Sequence, residues 1–218
     1  WTHLELARYF GLTDLLDESN AARVWNQANE QLATPALSAQ GILKKFRVTT
    51  LCTTDDPTDD LRHHEAIAAQ GLVTRVLPAF RPDKALAVNQ PAAFNAWVRR
   101  LAEASDTDIA DFPDFLHALC QRVEYFHAHG CQLSDHGLNH CYADFCSTQA
   151  ATAIFAKARN GQPASPAEHA QFASFVMLFL GRLYAERGWT MQLHLGALRS
   201  ANARLLRTLG PDTGFDSI

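Results

Sequence analysis

Three glycines set the rhythm of this chain. Gly71, Gly130 and Gly188 each stand at the end of a helix-like stretch and are followed within two residues by a short β-rich run. A glycine just past a helix supplies the left-handed backbone that stops it. The runs so marked are Val73-Thr-Arg-Val-Leu77, Cys131-Gln-Leu133 and Thr190-Met-Gln-Leu-His194, and a fourth, Val48-Thr-Thr-Leu-Cys52, precedes them. Strands separated by helices need crossover connections, and crossovers make a parallel sheet.

The helices carry their own signals. Asp17-Glu-Ser-Asn20 caps a stretch reaching Leu32, with Val24, Ala28 and Leu32 on one face. Pro57 marks a first turn for a helix running to Gly71, and Pro91 opens another with Phe94, Trp97, Val98 and Leu101 inward. In Phe112 to His129, apolar residues recur at helical spacing (Phe115, Leu116, Leu119, Val123, Phe126). Segments 142–159 and 166–187 complete the set.

Each strand hands over to ionisable residues. Thr53-Thr-Asp-Asp-Pro57 follows the first, Phe80-Arg-Pro-Asp83 the second and Ser134-Asp-His-Gly137 the third, while the fourth ends on His194 with Arg199 just beyond. Function gathers at these carboxyl ends in open α/β sheets and in barrels alike. No phosphate-cradling glycine motif follows any strand. A whole (β/α)8 barrel takes roughly 250 residues, and only four βα units fit into 218. We therefore expect half a barrel over residues 46–218 with helical insertions at about 84–129 and 138–188, preceded by a helical insertion over 1–45.

Composition excludes several roles. The net charge of −4, with no basic stripe, argues against a general nucleic-acid binder. The longest apolar stretch, Phe172 to Leu180, is too short to cross a membrane and contains Ser174. Five cysteines without a CxxC read as free thiols in a reducing compartment, so a cytoplasmic location is expected. The opening Trp1 and the abrupt end at Ile218 suggest a piece of a longer protein.

Two clusters invite a metal reading and lose it on geometry. His127 and His129 end a helix, where positions two apart point away from each other. Cys131, His136, His140, Cys141 and Cys146 match no usual zinc spacing and read as core or loop groups. His63-His64 reads as a solvated surface pair.

Four longer motifs occur in order: Leu51-Cys-Thr-Thr-Asp-Asp-Pro57, Leu77-Pro-Ala-Phe-Arg-Pro-Asp-Lys84, Leu133-Ser-Asp-His-Gly137 and Met191-Gln-Leu-His-Leu-Gly-Ala-Leu-Arg199. Together with Trp1-Thr-His-Leu-Glu-Leu and Gly214-Phe-Asp-Ser-Ile218 they resemble the uronate isomerase (glucuronate isomerase) family of the amidohydrolase superfamily. The resemblance runs end to end but covers only the middle of the family sequence. It implies an α/β fold that is part of a distorted (β/α)8 barrel, about strands 2–5, and a metal-assisted aldose–ketose isomerisation. The reaction would interconvert D-glucuronate with D-fructuronate, and D-galacturonate with D-tagaturonate, through an enediol.

The resemblance also implies roles. Asp135 and His194 match catalytic positions, the first accepting sugar hydroxyls or relaying a proton, the second polarising a substrate oxygen or shuttling a proton. Arg81 and Arg199 match substrate-binding arginines, and a guanidinium fork suits a carboxylate. Asp55, Asp56 and Asp83 would orient backbone and arginines. The family's divalent ion, by preference zinc, takes its ligands from positions before Trp1 and after Ile218, so no ligand is assigned within the chain. Expected partners are a hexuronate and further copies of the chain in a homo-oligomer, with neither nucleic acid nor membrane. On its own half a barrel would expose apolar faces, turn over little substrate, and aggregate or pair with a second chain. Two alternatives compete: a metal-dependent hydrolase of the same superfamily acting on a small anion, and a non-catalytic helical interaction domain.

Overall fold

The structure, a computed structural model, describes residues 1–195, 199–211 and 213–214. The chain divides into two compact units, one of residues 1–51 with 67–76, the other of residues 52–66 with those from 77 onward.

The first unit is helical. It holds α1 (Thr2–Glu5), a π-helical turn closed by Gly11, α2 (Ala21–Leu32), a 3-10 turn at Pro35–Leu37 and α3 (Ala39–Lys45). The cap read at 17–20 works as an Asx turn: Asp17 Oδ1 accepts from the Ser19 N–H at 2.8 Å and from Asn20 N–H at 3.1 Å, and Asn20 begins α2. Ser38 Oγ caps α3 by accepting the Gly41 N–H, and any Cβ on Gly41 would collide with the Pro35 and Ala36 carbonyls. Both lie within the stretch 1–45 expected to be helical, though neither is long enough to carry a periodic pattern that marks it as a separate element.

Strands β1 (Thr50–Cys52) and β2 (Arg75–Leu77) pair with each other, as do β3 (Leu133–Gly137) and β4 (Thr190–His194), the latter two in parallel. Within the second unit, single parallel bridges join Asp55, just past β1, with Phe80, just past β2, and Phe80 with Ser134, near the start of β3. The fold is thus α/β with parallel strands and many helices.

The remaining helices are α4 (Arg62–Ala69), α5 (Pro91–Ser105), α6 (Phe112–Ala128), α7 (Thr148–Arg159), α8 (Pro166–Glu186) and α9 (Ala203–Leu209). Ser165 and Glu168 form a reciprocal capping box at the start of α8, and Asp111 with Asp114 does the same for α6. Gly130 and Gly188 take φ of +86° and +65°, and the N–H groups of Cys131 and Trp189 reach back to Phe126 O and Tyr184 O, closing α6 and α8. The core of the second unit is aromatic: Phe94, Phe112, Phe115, Phe155 and Phe172, from α5, α6, α7 and α8, meet with ring centres 5.2–6.5 Å apart. Edge-to-face pairs such as Phe94–Phe155 add to simple area burial.

Several element boundaries differ from the sequence reading: β1 and β2 each start two residues later than expected, and three further differences have local reasons. Pro57 opens no helix: residues 57–60 form a polar turn, Leu61 sits buried at φ +55°, and α4 starts only at Arg62. Helix α7 begins at Thr148 rather than near Tyr142, because Ser147 Oγ accepts the Ala150 N–H and sets the first turn there. Strand β3 covers Leu133–Gly137 instead of 131–133, since Cys131 is spent on closing α6. Among the described residues no helix is long and apolar enough to cross a membrane.

Candidate functional site

The site begins with a buried ring. Phe80 lies just past β2, fully buried against Phe126, Tyr184 and Trp189. Its backbone bridges both Asp55 and Ser134, so it pins three strand ends together. Side chains alternate along an extended chain, and with Phe80 turned into the core, Arg81 turns out of it. The Arg81 N–H donates to Asp55 O at 2.9 Å, which holds that orientation.

Two acids share the Arg81 fork. Its Nε donates to Asp83 Oδ2 at 2.8 Å and its Nη1 to Asp135 Oδ2 at 3.4 Å. The hydrogen bond to Asp83, then the charges of Asp83 and Asp135, outweigh burial and raise the guanidinium above its ordinary value. Thr54 Oγ1 also donates to Asp135 Oδ2, at 3.2 Å. The other oxygen of Asp135, Oδ1, faces His194 Nδ1 at 3.1 Å, at ion-pair range though not aligned as a hydrogen bond. The parallel register explains the meeting: Asp135 is level with Gln192, so His194 is its diagonal neighbour on the same face. Gln192 Nε2 lies 3.0 Å from His194 Nε2.

Depth is graded across the group. The side chain of Asp135 is 6 % exposed, that of Arg81 33 % and that of His194 52 %. An acid at the base, a cation midway and an imidazole at the rim can bind a small anion with hydroxyls, orient it, and pass a proton. Gly137 leaves room for Arg81 here, because a Cβ on it would overlap the guanidinium and push it aside.

Three of the sequence-assigned residues, Arg81, Asp135 and His194, therefore meet, and Asp83 joins them through Arg81. Asp55 and Asp56 make different contacts. Asp55 Oδ2 accepts from Thr53 Oγ1 at 2.6 Å and from the Ala79 N–H at 3.1 Å, which ties the end of β1 to the end of β2. Asp56 accepts from Lys84 Nζ and Trp97 Nε1, both at 2.8 Å, and from Thr58. Burial works against its charge, yet these donors hold its carboxyl below the usual range. Arg199 lies in an exposed turn at 199–200, and residues 196–198, 212 and 215–218, which include parts of the last two sequence motifs, lie outside the described residues.

Sequence reading missed several neighbours. His64 is no solvated residue: its side chain is 12 % exposed and its Nε2 lies 2.7 Å from Thr53 Oγ1, while His63 is exposed. His136 is fully buried behind Asp135, with burial pushing its imidazole down to about 4. Its position in the Ser-Asp-His-Gly run was a signal, obscured by placing β3 too early. Arg122 is buried and gives its three donor arms to the carbonyls of Pro57, Ala104 and Asp59 at 2.7, 2.7 and 2.8 Å, with its fork 4.0 Å over the Tyr125 ring. It clamps the turn that carries Asp56.

His127 and His129 take separate partners, Trp189 and Glu65. Among the described residues no group of three or more His, Cys, Asp or Glu side chains converges on a metal position. A cavity of about 600 Å³ lies within the first unit between Leu43, Arg47, Val48 and Thr74, and none of the strand-end groups lines it.

A sequence profile described as glucuronate isomerase matches residues 1–218. A uronate isomerase of Solibacter usitatus is 58 % identical over 218 residues, covering 100 % of this chain and 47 % of that protein. One from Opitutus terrae is 57 % identical, covering 100 % of this chain and 46 % of that protein. The crystal structure of uronate isomerase from Thermotoga maritima superposes with a TM-score of 0.91 at 34 % identity, over 100 % of this chain and 48 % of that one. That of glucuronate isomerase from Caulobacter crescentus superposes with a TM-score of 0.86 at 30 % identity, over 98 % of this chain and 44 % of that one. The chain spans about half the length of the curated relatives it matches.

Proposed function

The chain belongs to the glucuronate isomerase family, and from that premise we propose that it supplies the substrate-binding and proton-handling wall of a uronate isomerase. The substrates are D-glucuronate and D-galacturonate, the products D-fructuronate and D-tagaturonate. The observation that carries this reading is the connected group Arg81–Asp135–His194 at the ends of parallel strands.

Substrate binding and the proton exchanges at O1 and O2 can be assigned to groups of this chain. Arg81 binds the uronate carboxylate or a neighbouring hydroxyl through its fork, held ready by Asp83. Isomerisation moves the C2 proton to C1 through an enediol, while O1 gains a proton and O2 loses one. His194, at the rim, serves the oxygen atoms, and Asp135 orients its ring and balances the imidazolium that forms. Arg199 is proposed as a second anchor for the substrate.

The divalent ion implied by the family does not fit the groups present here, since Asp135 and His194 are turned toward each other and, among the described residues, no third ligand converges with them. We place its ligands in the part of the family sequence this chain does not span, and no step above runs through it. The parallel pairing of β3 with β4 and the parallel bridges Asp55–Phe80 and Phe80–Ser134 support reading this as about strands 2–5 of a distorted (β/α)8 barrel. Assembly as a homo-oligomer in the cytoplasm belongs to the same reading.

The test is the full-length protein with D-glucuronate in D2O. Deuterium entering the sugar as the ketose forms is expected. Exchange absent, with hydrolysis of some other small anion instead, would move the chain to the hydrolase branch.

A further inference from the structure

His136 lies on the opposite face of β3 from Asp135, yet the two flank one ion pair: Asp135 faces Arg81 and His136 faces Asp83. Its Nδ1 stands 3.9 Å from Asp83 Oδ1, and its Nε2 is 3.1 Å from Ser134 Oγ. Both Nδ1 of His136 and Oδ1 of Asp83 are buried, and neither has a hydrogen-bond partner. The other carboxylate oxygen of Asp83 is fully engaged, accepting from Arg81 Nε and the Gly137 N–H. The groups around the ring are Asp83 and Arg81 from the turn after β2, Ser134 and Asp135 from β3, and Tyr184 from α8, whose ring centre is 5.8 Å away.

Two buried orphan atoms that face each other are costly unless one donates to the other. An imidazole carrying its single proton on Nδ1 aims a donor at that oxygen in place of a second lone pair, and leaves Nε2 to accept from the Ser134 hydroxyl. We propose that His136 is a positioning residue for the isomerisation, its Nδ1–H aimed at Asp83 Oδ1 so that the carboxylate holding Arg81 cannot rotate. The line of contacts then runs from Ser134 through His136, Asp83 and Arg81 to Asp135, with the His136–Asp83 approach, at 3.9 Å, electrostatic rather than a formed hydrogen bond. Burial keeps the ring neutral, which suits a donor that must not add a second cation beside Arg81. The kinetic consequence rests on the isomerase reading; the position of the proton does not.

Nitrogen-15 NMR of histidine-labelled full-length protein reads that position directly. The proton is expected on Nδ1 of His136, and Asp83→Asn is expected to shift its signal. A proton on Nε2 overturns the proposal whatever the protein's activity. Kinetics supply the second arm. His136→Asn keeps a donor near the Nδ1 position, whereas His136→Gln moves it toward the Nε2 position. The KM for uronate is expected to rise about ten-fold in His136→Gln with kcat nearly unchanged, and to stay within about two-fold in His136→Asn. Equal KM in all three proteins, or a loss in His136→Asn as large as in His136→Gln, overturns it as well. Complete absence of turnover in the unmodified protein would instead sink the isomerase reading, and the NMR result still decides the His136 contact.

Discussion

The guanidinium of Arg81 rests on the backbone of Gly137 so closely that the smallest side chain at residue 137 would displace it. The atom in the way is the far end of a flexible side chain, so the fold itself has room to yield. The cost falls on position: Arg81 would have to leave Asp135.

Gly137→Ala should therefore separate stability from binding. The melting temperature is expected to move little, while the KM for uronate rises about ten-fold or more, equivalent to about 1.4 kcal/mol of lost anchoring. Steady-state kinetics alongside a thermal melt check this. An alanine variant with unchanged KM would mean that Arg81 does not hold the substrate.

Asp135 and His194 should behave as one unit. Asp135→Asn keeps the shape but loses the charge that faces both Arg81 and His194. A fall in turnover of roughly 100-fold is expected for it and for His194→Gln, since each removes general acid–base help. The double variant should be no worse than the poorer single, because groups that act together are not additive. Losses that multiply would place the two residues in separate steps.

Arg122 should matter for stability rather than chemistry. Among the described residues it makes no ion pair with a carboxylate, and it gives one donor from each of its three nitrogens to a backbone carbonyl. Arg122→Met would leave those acceptors unmet, at a cost of about 3 kcal/mol or more. Lysine cannot span the three directions, so Arg122→Lys should recover only a small part. Urea unfolding of the full-length protein measures both.

Acid should weaken the fold in two separate windows. Burial lowers His136 from its ordinary 6.5 to about 4. The unfolded chain therefore binds a proton there before the native one does, so stability is full above about 6.5 and falls as pH drops toward 4. The whole loss is about 3 kcal/mol at 1.36 kcal/mol per pH unit. His136→Asn should remove this slope. Glu168, lowered to about 2 by Lys157 and the Ser165 cap, gives stability present above its ordinary 4.5 and lost toward 2. Glu168→Gln should abolish only that lower window. A wild-type unfolding curve flat between pH 6.5 and 4 would contradict the buried, neutral imidazole.

Helices whose ends are written locally were read correctly from residue order. Pro91, Pro166 and the stops at Gly130 and Gly188 fall where the structure has them, and β4 matches residue for residue. Caps, first-turn prolines and helix-ending glycines act within one turn of the chain, so they survive without tertiary context. Strand β3 was placed too early because Ser134, Asp135, His136 and Gly137 are polar, and only partners on both faces make such residues a buried strand. Pro57 misled for the same reason, since the turn that follows it is held by Arg122, 63–65 residues further along.

Residue order settled the alternation of helix and strand, and with it the expectation that ionisable groups gather at the carboxyl ends. It did not settle which of those groups meet. Arg81, Asp135 and His194 touch because β3 and β4 run parallel in one particular register and Phe80 is buried between three strand ends. That choice is made by long-range pairing and core packing, which no local periodicity encodes. The partner of buried His136 belongs to the same class, because the atom it faces comes from a different strand's turn.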